Sequence, residues 1–433
     1  MTRARARPFS RRQDRSRSST ACDWSNSGSL TAPSGWACVP TGCWRWGSRR
    51  RSGVRRTRGT GREPVRLSGP ATPVETLSLS PVPEPRTTPL RLLIVLPSWV
   101  GDAAMATPTL RAIRRAMPGA FIGGLCRPGI DELLAGADLV DEFHVARASG
   151  VMGPKFAAGK VRPRRYEAAL LLTNSFSTAL TVRIAGIPRR IGYDRDARGL
   201  LLTDRLQPPR RSDGEWAAVP AVEYYWALAA RFLLPPGAVR GPLELGVTAE
   251  QAAKGAGILE RGGVTGPYVV LNPGGNNPAK RWPAERFAAI ADWLATERGF
   301  AALINGSPGE ADLAREVATA CRAAKPVLLP ELGITVGALK AVVRGAGLMV
   351  TNDTGPRHIA AAFGVPLVSL FGPTDHRWTI IPTRAGGPEE VVLADPTLPE
   401  SEVANDHPER CRIDRIGVDR VREAVRRVLA PGS

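Results

Sequence analysis

The sequence predicts an α/β protein of two doubly wound domains facing across a cleft, and three observations predict it. Short apolar runs alternate with helical stretches at the spacing of βαβ units, which calls for parallel sheets covered by helices. The alternation runs twice, either side of a Pro/Gly-rich segment, Pro235–Leu245, that reads as a linker. The chain's 433 residues suffice for two such domains with separate cores.

In order, RLLIVL (Arg91–Leu96) predicts a buried strand. PSWVGDAAMATPTLRAIRRAMPG predicts a loop and then a helix stopped by Pro118-Gly119. Strands are expected at Phe121–Cys126, Val140–Val145 and Ala168–Leu172, with helices at Pro128–Gly136 and Ser175–Ala185. An irregular stretch, Gln207–Gly214, precedes a helix at Ala221–Leu234. Beyond the linker, helices are expected at Ala249–Arg261, Ala284–Arg298, Glu310–Ala324, Val336–Gly345 and His358–Phe363. The strands between them are Tyr268–Gly274, Ala301–Gly306, Val327–Leu329, Leu348–Val350 and Pro366–Phe371. An amphipathic helix, Val418–Leu429, closes the chain. The domains so bounded are 90–240 and 241–433, after a leader of residues 1–89.

Charge is spread unevenly. Residues 1–90 hold 17 Arg, no Lys and 5 acids, whereas residues 91–433 hold 42 basic and 35 acidic residues. The leader is rich in Arg, Ser, Gly and Pro without apolar periodicity, a composition that predicts disorder. Arg11-Arg12 is followed by no apolar run, which excludes a twin-arginine export signal. The leader's lack of Lys and its Trp/Cys/Arg mix set it apart from the body, as if translation were read from too far upstream. A nucleic-acid-binding arm is the competing reading, but basic and aromatic residues do not interleave in the body. Cys22, Cys38 and Cys43 lack zinc-type pairing and Cys126, Cys321 and Cys411 are scattered, which fits a reducing compartment. No apolar run reaches the ~18 residues of a membrane span.

Four loops carry the chemistry. In VTNDTGPRHIAAAFGVP, a strand gives way to a polar turn and a helix, so Asp353, Thr354 and Gly355 lie where free N–H groups and a dipole end await an anion. Asp353 or Thr354 as a plain helix cap is the alternative. His358 lies one turn further along. In PSWVGD, Asp102 sits at the carboxyl edge of the first sheet, as a general base or a helix cap. NPGGNNPAKRWP places Asn276, Asn277, Lys280 and Arg281 in a Gly-rich turn before a helix, which suits a diphosphate, though the GK[ST] ending of a Walker loop is missing. In INGSPGE, Glu310 either accepts ribose hydroxyls or supplies a first-turn charge. No GxGxxG follows Leu96 or Val270, which argues against a nicotinamide enzyme, and no DxD or HExxH cluster supports a metal site.

Taken in order, PSWVGD, LLTNSFSTALTVRIAGIPRRIGYDRDARGLLLTDRL, NPGGNNPAKRWP and VTNDTGPRHIAAAFGVPLVSLFGPT resemble the signature segments of the ADP-heptose:lipopolysaccharide heptosyltransferases, glycosyltransferase family 9. The likeness is nearest to the heptosyltransferase II branch and runs from about Arg91 to the carboxyl terminus. It implies a GT-B fold of two Rossmann-like domains, with the acceptor on the first, the sugar nucleotide on the second, and a final helix packing back toward the first. It also implies inverting, metal-independent heptosyl transfer from ADP-heptose to a heptose of the lipopolysaccharide inner core, with no cofactor. Asp102 matches the family's base. Asn276, Asn277, Lys280, Thr354 and Gly355 would hold the diphosphate, Glu310 the ribose, while Asp353 and His358 shape the donor site. Asn174 and Ser175 would touch the acceptor. The basic run with Arg183, Arg189, Arg190 and Arg195 would meet an anionic, lipid-linked saccharide, or forms a solvated face. The implied place is the cytoplasm, peripheral at the inner membrane, with no specific nucleic acid. Two departures stand out: no acidic or aromatic residue precedes Lys280, and Pro356-Arg357 replaces an apolar pair before His358.

Overall fold

A computed structural model describes residues 90–430, apart from 149, 211–213, 215, 218 and 383–387. The expectations for the leader, with Cys22, Cys38 and Cys43, lie outside the described residues.

The first half comprises β1 (Arg91–Val95), α1 (Val100–Ala116), β2 (Phe121–Cys126), α2 (Ile130–Leu134), β3 (Glu142–Val145), α3 (Gly153–Val161), β4 (Ala168–Leu171), α4 (Phe176–Ile184), β5 (Arg189–Tyr193), β6 (Asp204–Leu206) and α5 (Ala221–Phe232). The second comprises α6 (Ala249–Arg261), β7 (Tyr268–Asn272), α7 (Ala284–Arg298), β8 (Ala301–Ile304), α8 (Ala311–Ala320), β9 (Val327–Leu328), α9 (Val336–Arg344), β10 (Leu348–Asn352), α10 (Gly355–Phe363), β11 (Leu367–Phe371), β12 (Glu389–Leu393) and α11 (Val418–Val428). Each half holds a six-stranded sheet, ordered β3-β2-β1-β4-β5-β6 and β12-β11-β10-β7-β8-β9. Every pairing is parallel. The strand order therefore reverses between β1 and β4 and again between β7 and β10, and a doubly wound sheet opens a ligand crevice at that point.

The elements absent from the sequence reading are α3, β5, β6 and β12. All are short or polar: α3 carries a Pro and two Gly, β5 opens on Arg189-Arg190, β12 on Glu389-Glu390, and β6 has three residues. Their neighbours in the sheet, rather than their own periodicity, make them regular.

Two expectations are corrected. The cores are not separate. One apolar cluster runs from Leu92, Ile94 and Leu110 of the first half through Ile258, Val270, Val342 and Ile359 of the second. It occurs because α1 and α2 pack directly on α10 and α9. The outer faces have clusters of their own, under α3 and α4 and under α7, α8 and α11. The final helix also differs, for α11 packs on β11, β12 and α7 of its own sheet. Val421, Ala424, Val425 and Val428 are its buried stripe, and the uncovered face of that sheet is where this stripe finds apolar surface.

Local chemistry holds α1 in place. Pro108 lies inside the helix and cannot donate to the Ala104 carbonyl, so the Thr107 hydroxyl donates to it instead, at 2.7 Å. The halves are latched by Lys340, which is fully buried on α9. Its Nζ donates to the Leu133, Ala135 and Gly246 carbonyls at 2.8–2.9 Å. Three ammonium protons meet three acceptors, two of them at the carboxyl end of α2. Burial brings the Lys340 pKa down to about 8, which leaves it mainly charged at neutral pH. Replacing it leaves three buried carbonyls unpartnered. Lys340→Met is expected to cost about 2–4 kcal/mol in urea unfolding; an unchanged midpoint would show that water replaces the latch.

Candidate functional site

Strands β7 and β10 end in Asn272 and Asn352, and Asn305 follows β8. These three buried amides form the floor of the second domain's crevice. Asn305 Nδ2 donates to Asn272 Oδ1 at 2.6 Å, and Asn272 Nδ2 donates to the Thr351 and Thr354 hydroxyls at 3.1 and 2.8 Å. Asn352 Nδ2 donates to the carbonyls of Pro273 and Gly274, while its Oδ1 accepts from Trp282 N–H. The Gly-rich turn after β7 is thus pinned from beneath, and Arg281 Nε pins it again through the Gly275 carbonyl at 2.8 Å. Asn276 and Asn277 are left exposed on its rim, with Asn277 Oδ1 capping the single turn Pro278–Lys280.

Glu310 closes the turn from the side. It accepts from Gly275 N–H, Ser307 N–H and the Ser307 hydroxyl, each at 2.8 Å. Burial favours its protonated form, but the hydrogen bonds from Ser307 and Gly275 outweigh it and hold the pKa below the ordinary Glu value. A Cβ on Gly274 would come within 2.4 Å of this carboxylate, so the glycine is required by close approach. Glu310 thereby completes a capping box with Ser307 and lies against the Gly-rich turn.

Helices α1 and α10 begin against one another. A Cβ on Gly355 would meet Val100 Cβ at 2.9 Å, and one on Gly101 would meet the His358 ring at 2.7 Å. His358 is 2% exposed, and its Nδ1 has no hydrogen-bond partner among the described residues. Burial, reinforced by Arg357, lowers its pKa to about 3. It is a neutral ring at the seam, so it brings no positive charge to a phosphate. Arg357, the departure noted in the sequence, is buried behind Asp353, 4.0 Å from its Oδ1. It bonds Glu389 at 2.7 Å, Ser369 at 3.1 Å and the Thr379 carbonyl at 2.8 Å, with Glu389 neutralising the charge that an apolar residue would not bring.

The seam places Asp102 opposite Asp353. Asp102 lies in the first turn of α1, whose cap is Trp99, so the helix-cap reading of Asp102 does not hold. Lys280 Nζ pairs with Asp353 Oδ2 at 3.0 Å, and Thr379 Oγ1 reaches Asp353 Oδ1 at 3.4 Å. Burial opposes ionisation of Asp353, yet Lys280 and then Arg357 hold its pKa below the ordinary Asp value. Asp102 goes the other way. Burial and the Asp353 charge raise it to about 6, against a hydrogen bond from Tyr225 and the more distant Lys280. One lysine serves two carboxylates, and the unpaired one becomes the stronger base.

Across the first sheet's switch point, Asn174 follows β4. Its Oδ1 accepts from Arg198 Nη2 at 3.1 Å and from the Tyr224 hydroxyl at 3.4 Å. Arg198 is fully buried, and burial lowers its pKa to about 10. It also bonds the Thr173 and Tyr193 carbonyls. Tyr193 stacks on Tyr224 with centroids 3.8 Å apart. The Ser175 hydroxyl is the α4 cap, accepting from Thr178 N–H. Arg189 and Arg190, expected at the acceptor, are not brought there. They open β5 at the amino edge of the sheet, opposite the edge that bears Asp102. Arg189 pairs with Asp204 at 3.1 Å, and Arg190 donates to the Leu201, Ile187 and Pro188 carbonyls. Strand polarity puts the start of a strand away from the crevice. Arg195, beyond the other end of β5, lies on the correct edge, 4.6 Å over the Trp216 ring.

The sequence reading missed Tyr225, Arg198 and the three floor amides. The amides had a signal, since LNP, ING and TND each end an apolar run in Asn before a turn. Tyr225 had none, because only tertiary packing carries α5 onto α1.

Two parallel six-stranded sheets of this order, facing each other at their switch points, have the GT-B architecture of glycosyltransferases. The chain belongs to glycosyltransferase family 9 (heptosyltransferase), whose family model matches residues 157–392. The Escherichia coli K12 lipopolysaccharide heptosyltransferase 2 is 32% identical over 321 residues, spanning 67% of this chain and 85% of that protein. The solved structure of the E. coli ADP-heptose lps heptosyltransferase II has 27% identity and a TM-score of 0.64, covering 78% of this chain and 98% of the other. A family 9 glycosyl transferase from Veillonella parvula shares the fold at a TM-score of 0.69 and 20% identity, over 79% of this chain and 98% of that one.

If Asp102 is the base, kcat/KM falls as pH drops through about 6. Tyr225 donates to the ionised carboxylate, so Tyr225→Phe destabilises that form. The acidic limb is expected to move to higher pH by roughly one unit, the equivalent of about 1.4 kcal/mol. A limb that stays in place would separate Tyr225 from the titrating group.

Proposed function

We propose that this transferase moves a heptose from ADP-heptose to a heptose of the lipopolysaccharide inner core, by one inverting displacement without a metal. The observation that carries the mechanism is the meeting of Asp102 from one domain with the Lys280–Asp353 pair of the other, 3.0 Å apart within the pair. The acceptor binds residues 90–240 and the sugar nucleotide residues 241–433. Asp102, ionised at neutral pH with a pKa of about 6, removes the acceptor hydroxyl proton as that oxygen attacks the anomeric carbon. The bond to the β-phosphate oxygen breaks on the opposite face, and ADP leaves with the electron pair.

Negative charge then grows on the diphosphate. Lys280, the turn bearing Asn276 and Asn277, and the N–H groups opening α10 at Thr354 and Gly355 stabilise it in place. Asp353 keeps Lys280 aimed and keeps Asp102 basic. Glu310 has three of its roughly four lone-pair sites filled, and the remaining one accepts from a ribose hydroxyl. His358 supports the donor site as a neutral ring. Asn174 meets the acceptor with its amide, and Ser175 sets the start of α4 beside it. Among the described residues no helix is long and apolar enough to cross a membrane, and we place the enzyme peripherally at the cytoplasmic face of the inner membrane.

ADP release from ADP-heptose, with and without a truncated heptose-bearing lipid A core, tests the reading. Release is expected to need the acceptor, to persist in EDTA, and to fall by roughly 10²–10⁴ in Asp102→Asn while ADP-heptose still binds. Release indifferent to the acceptor would replace transfer with hydrolysis. Lys280→Ala is expected to lower kcat by roughly 10²–10³; if it raises only KM, Lys280 binds the ground state and not the leaving group.

A further inference from the structure

The basic run of the first domain is left over once Arg189 and Arg190 are removed from the acceptor site. It belongs to a longer pattern. From Phe143 to Tyr193 the chain holds nine Lys or Arg and one acid, Glu167. That excess is larger than the whole net charge of residues 91–433, so the rest of the body is close to neutral. The segment forms α3, α4 and the strands beneath them, the outer layer of the first domain. Two of its charges are paired outside the segment, Arg164 with Glu142 and Arg189 with Asp204; Arg147, Lys155, Arg165 and Arg183 are exposed.

The same layer exposes large apolar side chains. Val151 is 97% exposed, Met152 48%, Phe156 69% and Phe176 46%. Ala157, Ala158 and Val161 already bury the inner face of α3, so Phe156 is surplus to the core. All four precede or open α3 and α4, at the carboxyl edge of the first sheet, the edge that bears Asp102 and Asn174. Of the exposed cations, Arg147, just after β3, and Lys155, in the first turn of α3, lie at this same edge, and apolar side chains beside cations suit the headgroup region of an anionic bilayer.

We propose that this layer, the turn before α3 with the exposed face of α3 and the first turn of α4, docks on the surface of a bilayer carrying anionic lipid. Val151, Met152 and Phe156 enter the headgroup boundary, and Arg147 and Lys155 at the same edge draw the face down. The docked edge then turns the acceptor crevice toward a substrate that is itself embedded. This rests on the reading of the acceptor as lipid-linked.

Hydrogen exchange of the full chain, with phosphatidylcholine vesicles containing or lacking phosphatidylglycerol, tests it. Amides of Val151–Lys160 are expected to gain protection only with phosphatidylglycerol. The double variant Val151→Asp/Phe156→Asp loses that protection and binds vesicles roughly tenfold more weakly. Lys155→Glu, which keeps the apolar side chains, weakens binding about fivefold or more. Both variants keep wild-type ADP release on a water-soluble acceptor, which also shows that they fold. Protection confined to residues 1–89, protection unchanged in the double variant, or protection that grows with protein concentration without vesicles would each overturn the docking face, the last in favour of a second copy of this chain. Failure of wild type to release ADP on the soluble acceptor would sink the transfer reading and leave the exchange result standing.

Discussion

Two helix amino termini meet head to head in this protein, and most of the site follows from that contact. Gly101 and Gly355 allow α1 and α10 to approach until the His358 ring and Val100 fill the space that side chains would need. Two positive dipole ends so placed repel unless negative charge lies near them. Asp102, in the first turn of α1, and Asp353, just before α10, supply it. A third carboxylate, Glu310, braces the turn alongside.

Charge is then divided unequally. Lys280 pairs with Asp353 and leaves Asp102 with a phenol. A single ammonium between two buried carboxylates stabilises one as an anion and makes the other basic. The residues that enforce the division come from both domains, so this arrangement exists only when the domains are apposed. The shared apolar cluster and the Lys340 latch keep them so, and a large apolar interface resists domain motion more than a polar one.

Much of this was legible in the sequence. Strand and helix periods located the strands of both sheets other than β5, β6 and β12, and the polar turns after the apolar runs lie at carboxyl edges, because doubly wound sheets place those turns together. Asp102, Lys280, Glu310, Asp353 and Gly355 each lie within eight residues of a strand's end, so their place at the crevice follows from local sequence. Arg189 and Arg190 were misplaced for the same reason. An unrecognised strand β5 separates its two ends across the sheet, and a run of basic residues does not reveal which end faces the crevice.

The sequence by itself determined which residues could carry the chemistry, since turn composition and strand order are written locally. Tertiary structure alone decided their protonation and their partners. Tyr225 lies 123 positions from Asp102, Lys280 lies 73 from Asp353, and Arg357 finds Glu389 32 positions on. Burial and the sign of the neighbouring charge set a carboxyl's pKa, and both are properties of packed surfaces that no stretch of chain possesses alone.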